Sequence, residues 1–98
     1  MKRRKETFRK FDAAEHLKTD RDIVGYLNAC AEEGDPALLA AALGDVARAR
    51  NMSQLARDTG MTREGLYQAL SKDGNPTIST VMKVSKALGF EMRFKLLA

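Results

Sequence analysis

NMSQLARDTGMTREGLYQALS, residues 51–71, contains two short amphipathic segments separated by a glycine. Leu55 and Ala56 share one face of the first segment, and Leu66, Ala69 and Leu70 share one face of the second. Gly60 and Met61 fill the joint. A glycine there takes the positive φ that a sharp reversal needs, and Ala56 is small where two helices must cross closely. Asn51 and Gln54 form a cap-like pair ahead of the first helix, and Thr62 is placed to cap the second. Arg63, Glu64, Tyr67 and Gln68 are left on a face that does not pack inward.

This arrangement is a helix-turn-helix, and it resembles the DNA-binding domain of phage-repressor-like regulators. The small residue Ala56, the turn glycine Gly60 and the apolar Leu55, Met61 and Leu66 all fall at that family's spacing. The resemblance implies that the second helix enters the major groove and presents its N-terminal residues to base edges. The bland alternative is an αα-hairpin with a glycine turn.

Working outward, three further helices flank the motif. Thr19 and Asp22 open a helix carrying Ile23, Leu27 and Cys30 at helical spacing with Tyr26 beside them; Gly34 stops it. Asp35-Pro36 starts the next, a capping aspartate followed by proline at the first helical position. Its buried stripe is Leu39, Leu43 and Val46, its Ala37–Ala42 run suits close packing, and Arg48 and Arg50 favour its C-terminal dipole. Beyond the motif, residues 72–76 (KDGNP) are turn chemistry, and Thr77 caps a last helix with the stripe Ile78, Val81, Val84 or Ser85, and Leu88, closed by Gly89. Near the N-terminus, Asp12 and Glu15 suggest one helical turn; with a single histidine, His16, and no further ligand cluster, no metal site and no cofactor are expected.

The tail alternates strictly: Phe90, Met92, Phe94 and Leu96 against Glu91, Arg93 and Lys95. That period predicts a short, half-buried β-strand, which needs a partner. Residues 7–11 are a weak candidate within the chain; the favoured one is the same strand of a second copy, making Phe90, Met92, Phe94 and Leu96 dimer contacts across a two-fold axis. The expected fold is therefore all-α, a five-helix repressor-like domain with a short C-terminal β-strand. Its expected parts are a basic arm (1–10), a helical helix-turn-helix domain (11–89) and the dimer strand (90–98).

Ninety-eight residues suffice for one small domain. No apolar run approaches a membrane span, no secretory h-region follows the basic N-terminus, and one cysteine excludes an internal disulfide. A cytoplasmic location without a membrane partner is expected. The net charge of +4 is segregated: residues 1–10 carry +5, residues 11–45 carry −6 and residues 46–98 carry +5. The motif half is basic, as a phosphate-facing surface should be, and the preceding half is acidic. No nucleophile–base pair, paired carboxylates or phosphate-binding glycine loop stands in a catalytic context, so neither an enzyme nor a small-molecule substrate is expected.

Taken whole, residues 8–90 are similar to addiction-module antidote proteins, the HigA-like antitoxins of bacterial toxin–antitoxin systems. The phrases that carry the likeness are FDAAEHL (11–17), IVGYLNA (23–29), Asp35 with ALGDVARA (42–49), LARDTGMTREGLYQAL (55–70) and GNPT (74–77). The resemblance implies an antitoxin that neutralises a RelE/ParE-like toxin and, as a homodimer, represses its own operon by binding operator DNA. The competing expectation is a stand-alone phage-type regulator without a toxin partner. Under either, Arg63 suits a bidentate contact to guanine and Gln68 one to adenine. Glu64 accepts from cytosine or serves the helix dipole, and Tyr67 bonds a phosphate or packs on the core edge. Gly65 allows close approach to DNA or to the helix of Ser53. Ser53, Gln54, Asn75 and Thr77 are candidate phosphate contacts, with Thr62 at the head of the reading helix. The chain departs from the repressor pattern at Met52, where a glutamine is frequent; that contact passes to Ser53 or Gln54, or is absent.

Overall fold

The computed structural model describes residues 18–98. The basic arm, the Asp12–His16 turn and the candidate strand at 7–11 lie outside the described residues. Five helices follow in order: α1 (Asp20–Glu32), α2 (Pro36–Arg50), α3 (Met52–Thr59), α4 (Arg63–Ala69) and α5 (Ile78–Ala87).

Each helix begins on the cap its sequence supplies. Thr19 Oγ1 accepts from Asp22 N–H at 3.1 Å, Asp35 Oδ1 from Ala37 at 3.0 Å, Asn51 Oδ1 from Gln54 at 3.0 Å, Thr62 Oγ1 from Gly65 at 2.9 Å and Thr77 Oγ1 from Thr80 at 3.1 Å. A side-chain oxygen here satisfies one of the otherwise orphaned N–H groups of the first turn, worth about 1 kcal/mol per helix. Gly34, Gly60 and Gly89 close α1, α3 and α5 with positive φ.

α2 is the central helix. Seven of its fifteen residues are buried, from Ala40 to Ala47 with the interruption of Asp45, because α1, α3 and α4 all pack on it. The alanines keep those axes close. Gly44 is the extreme case: a Cβ there would lie 2.1 Å from the carbonyl oxygen of Leu70, so only a glycine lets α2 meet the end of α4. Leu43, Ala47, Met52, Leu55, Leu66, Leu70 and Val84 form one core that joins α2, α3, α4 and α5. Ile23 and Val46 form the other, covered by Tyr26, Leu27, Leu88 and Phe90. Cys30 is buried. Between α1 and α2, Tyr26 Oη donates to Asp45 Oδ2 at 2.7 Å, while Arg48 donates to Oδ1 of the same carboxylate at 2.8 Å. Arg50 pairs with Asp20 at the far end.

Two expectations are corrected. The C-terminal strand is absent: residues 90–98 form no ladder. A strand is defined by its partner, and none is available to this segment among the described residues. Phe90 instead packs against the Ile23–Val46 cluster, while Phe94 and Leu96 are 100% and 93% exposed. In α5, Ile78 is 69% exposed rather than part of the core stripe, and Val84 and Ser85 are both buried. The helix reaches the core from Val81 onward.

Candidate nucleic-acid interface

The α3–α4 joint fixes the direction of α4. Met61 N–H donates to Ala56 O at 3.1 Å and Gly60 N–H to Arg57 O at 3.4 Å, the paired bonds of a Schellman stop, with Gly60 at φ +72°. Met61 and Ala56 both pack against the larger core, so the turn is held by apolar contact as well as by its hydrogen bonds. Within a residue of the turn, Thr62 caps α4. Leu66 and Leu70 are fully buried, and each contributes about 1.5–3 kcal/mol to holding α4 down.

With that face inward, the remaining residues of α4 point out. Arg63, Glu64 and Gln68 are exposed, and Tyr67 is 38% exposed. Thr62 joins them at the N-terminal end. Tyr67 is thus neither fully solvated nor buried.

The other expected contacts lie on neighbouring elements. Ser53 is half-buried in the first turn of α3, and Gln54 beside it is exposed. Gln54 is already engaged: its Nε2 donates to Asp58 at 2.8 Å and its Oε1 accepts from Arg57 at 2.8 Å. Asn75 and Thr77 are exposed in the connection ahead of α5, where Thr77 also receives the Thr80 N–H. Gln54, Thr62 and Thr77 make these hydrogen bonds within their own elements.

Met52 and Gly65 have roles that the sequence did not disclose. Met52 is buried in the larger core, so an apolar side chain at this position anchors the start of α3. A Cβ at Gly65 would meet only Thr62 Oγ1, at 3.0 Å. Gly65 therefore makes room for the capping hydroxyl and not for the helix of Ser53. Lys72, exposed just past α4, was hidden among turn residues in the sequence and adds a cation at that end.

A second exposed group, on α1 and the loop after it, is acidic. Asp20, Asp22, Glu32, Glu33 and Asp35 are all exposed on α1 and the loop after it. Among the described residues no group of three or more His, Cys, Asp or Glu is arranged to hold a metal ion. No helix among them is long and apolar enough to cross a membrane.

Residues 7–96 match a family model described as "Probable addiction module antidote protein". The chain belongs to this antidote family. An antidote family implies a toxin as partner, and it is not a family of enzymes. The chain is also similar to an uncharacterized protein of Haemophilus influenzae, 56% identical over 88 residues, which span 90% of this chain and 91% of that relative. No solved structure matches.

Proposed function

We propose that this antidote is a two-surface protein: an operator-binding repressor on its basic side and a toxin-neutralising protein on its acidic side. The observation that carries the DNA half is the outward face of α4. Arg63, Glu64, Tyr67 and Gln68 stand clear of a helix whose other face, Leu66 and Leu70, is fully buried. In this reading α3 and α4 are a repressor-like helix-turn-helix, α4 lies in the major groove, Arg63 reads guanine and Gln68 reads adenine. Ser53, Gln54, Thr62, Asn75 and Thr77 set register on the phosphates. Gln54 must exchange its Asp58 or Arg57 bond to do so. Residues 1–10 serve as a basic arm, residues 11–89 as the binding domain, and residues 90–98 as the dimer contact that spaces two α4 helices for two half-sites.

The toxin half rests on family membership and on charge. The exposed carboxylates of α1 and the loop after it suit a small basic protein of the RelE/ParE-like, HigA-partner type, and they would be repelled by DNA. Family membership favours this over a stand-alone regulator. The test is co-expression with the adjacent open reading frame, followed by operator binding of the purified complex and of the antidote alone. A co-purifying basic neighbour and salt-sensitive, sequence-specific binding support the reading. A protein that binds neither is something else.

A further inference from the structure

We propose that the tail is a self-complementary strand that pairs antiparallel with the tail of a second copy, with Met92 on the two-fold axis. This rests on the dimeric reading above and specifies the surface and register that make it.

Phe90 is partly buried against the Ile23–Val46 cluster, and its N–H donates to Ser85 O at 2.8 Å. In an extended chain Met92, Phe94 and Leu96 share the face of Phe90, whereas Glu91, Arg93 and Lys95 face away. Beyond Phe90 this apolar face is progressively uncovered: Met92 is 46%, Phe94 100% and Leu96 93% exposed. A two-stranded ribbon needs a layer beneath it to be stable, and the face already committed by Phe90 is the one turned toward the helices.

Charge selects the occupant and the register. Any register that places Met92 opposite Arg93 puts apolar residues against charged ones and is excluded by the period of two. Of the others, centring on Glu91, Arg93 or Lys95 sets like charges directly opposite on the axis. Centring on Phe94 sets Arg93 against Lys95. Centring on Met92 opposes Glu91 to Arg93 of the second copy, twice by symmetry, and Phe90 to the Phe94 of the second copy, also twice. Among centres from Glu91 to Lys95 it alone places no like charges opposite each other. The Glu91–Arg93 pair that now lies within one tail at 2.9 Å, with both side chains about three-quarters or more exposed, is available to exchange across the axis.

The experiment uses the full chain, without DNA or toxin, by light scattering and by oxidative cross-linking. The parent is expected to be a dimer and Phe94→Asp a monomer. Glu91→Arg and Arg93→Glu should each weaken association about tenfold, because two attractive cross-strand pairs become repulsive, and the double swap should restore it. Met92→Cys should cross-link to itself, since directly opposed residues lie about 4.5–5.5 Å apart at Cα, within disulfide reach. Arg93→Cys should not. A monomeric parent, a Phe94→Asp variant that stays dimeric, a double swap that fails to rescue, or cross-linking at position 93 in preference to 92 overturns the proposal. So does a tail that is protected only when the toxin is bound. Operator binding by a parent that is monomeric in solution would overturn the ribbon while leaving the DNA reading intact.

Discussion

Gly44 of α2 stands directly against the carbonyl oxygen of Leu70, at the end of α4, with 2.1 Å available for a Cβ. That contact holds the proposed reading helix against the central helix. The obstacle is backbone, which cannot swing aside as a side chain would. Gly44→Ala should therefore destabilise the fold by about 2–3 kcal/mol, at the upper end of overpacking costs. At about 4–8 °C per kcal/mol for a domain of this size, thermal unfolding by circular dichroism reads this easily. A melting temperature within a degree or two of the parent would mean that the two helices do not meet so closely.

Tyr26 and Arg48 bind Asp45 with unequal worth. Tyr26 Oη reaches it from α1 in a partly buried setting, whereas Arg48 joins it from the next turn of α2 with its side chain 46% exposed. Tyr26→Phe should cost about 1–2 kcal/mol, the range for a hydrogen bond to a charged group reduced by partial solvation. Arg48→Ala should cost less than about 1 kcal/mol, as exposed ion pairs do. Urea denaturation of the two variants gives the order, and the reverse order would show that the α1–α2 junction depends on charge more than on the phenol.

Thr62 is tested by its cap. Thr62→Ala removes the acceptor of the Gly65 N–H and should cost about 1 kcal/mol, and Thr62→Ser should recover most of it. Equal stability of all three proteins would show that α4 is held by Leu66 and Leu70 alone.

Ile78 and Val84 separate what could and could not be read from the chain. Both sit at core spacing in α5, yet Ile78 is exposed and Val84 is fully buried. Ile78→Ser should fall within about 0.5 kcal/mol of the parent. Val84→Ala should cost about 2 kcal/mol through lost burial and a residual cavity. Differential scanning calorimetry of the pair settles it, and similar losses would place the first turn of α5 in the core after all.

Local signals were the legible ones. Thr19, Asp35, Asn51, Thr62 and Thr77 cap helices because a cap involves only residues two or three apart, and the Gly60 stop is equally local. Periodicity gave the inward faces of α3 and α4, but could not say where α5 begins to touch the core. The Gly44–Leu70 and Tyr26–Asp45 contacts join residues distant in sequence and left no local trace. Met52 read as a missing polar contact because nothing in the sequence shows that the start of α3 is buried in the larger core. The tail kept its period of two, but pairing depends on a partner that periodicity does not supply. At the candidate interface the outward set on α4 was legible as the complement of Leu66 and Leu70, and the internal bonds of Gln54 were not.

The central claim is that Arg63 meets a base in the major groove. Its most direct test is a titration of the parent and of Arg63→Ala against the DNA upstream of the gene and against duplexes carrying each single base-pair change, at several salt concentrations. Arg63→Ala should lose about 1–3 kcal/mol of affinity and become indifferent to one guanine position, while discrimination elsewhere is kept. Equal affinity of parent and variant across the whole set would contradict the claim.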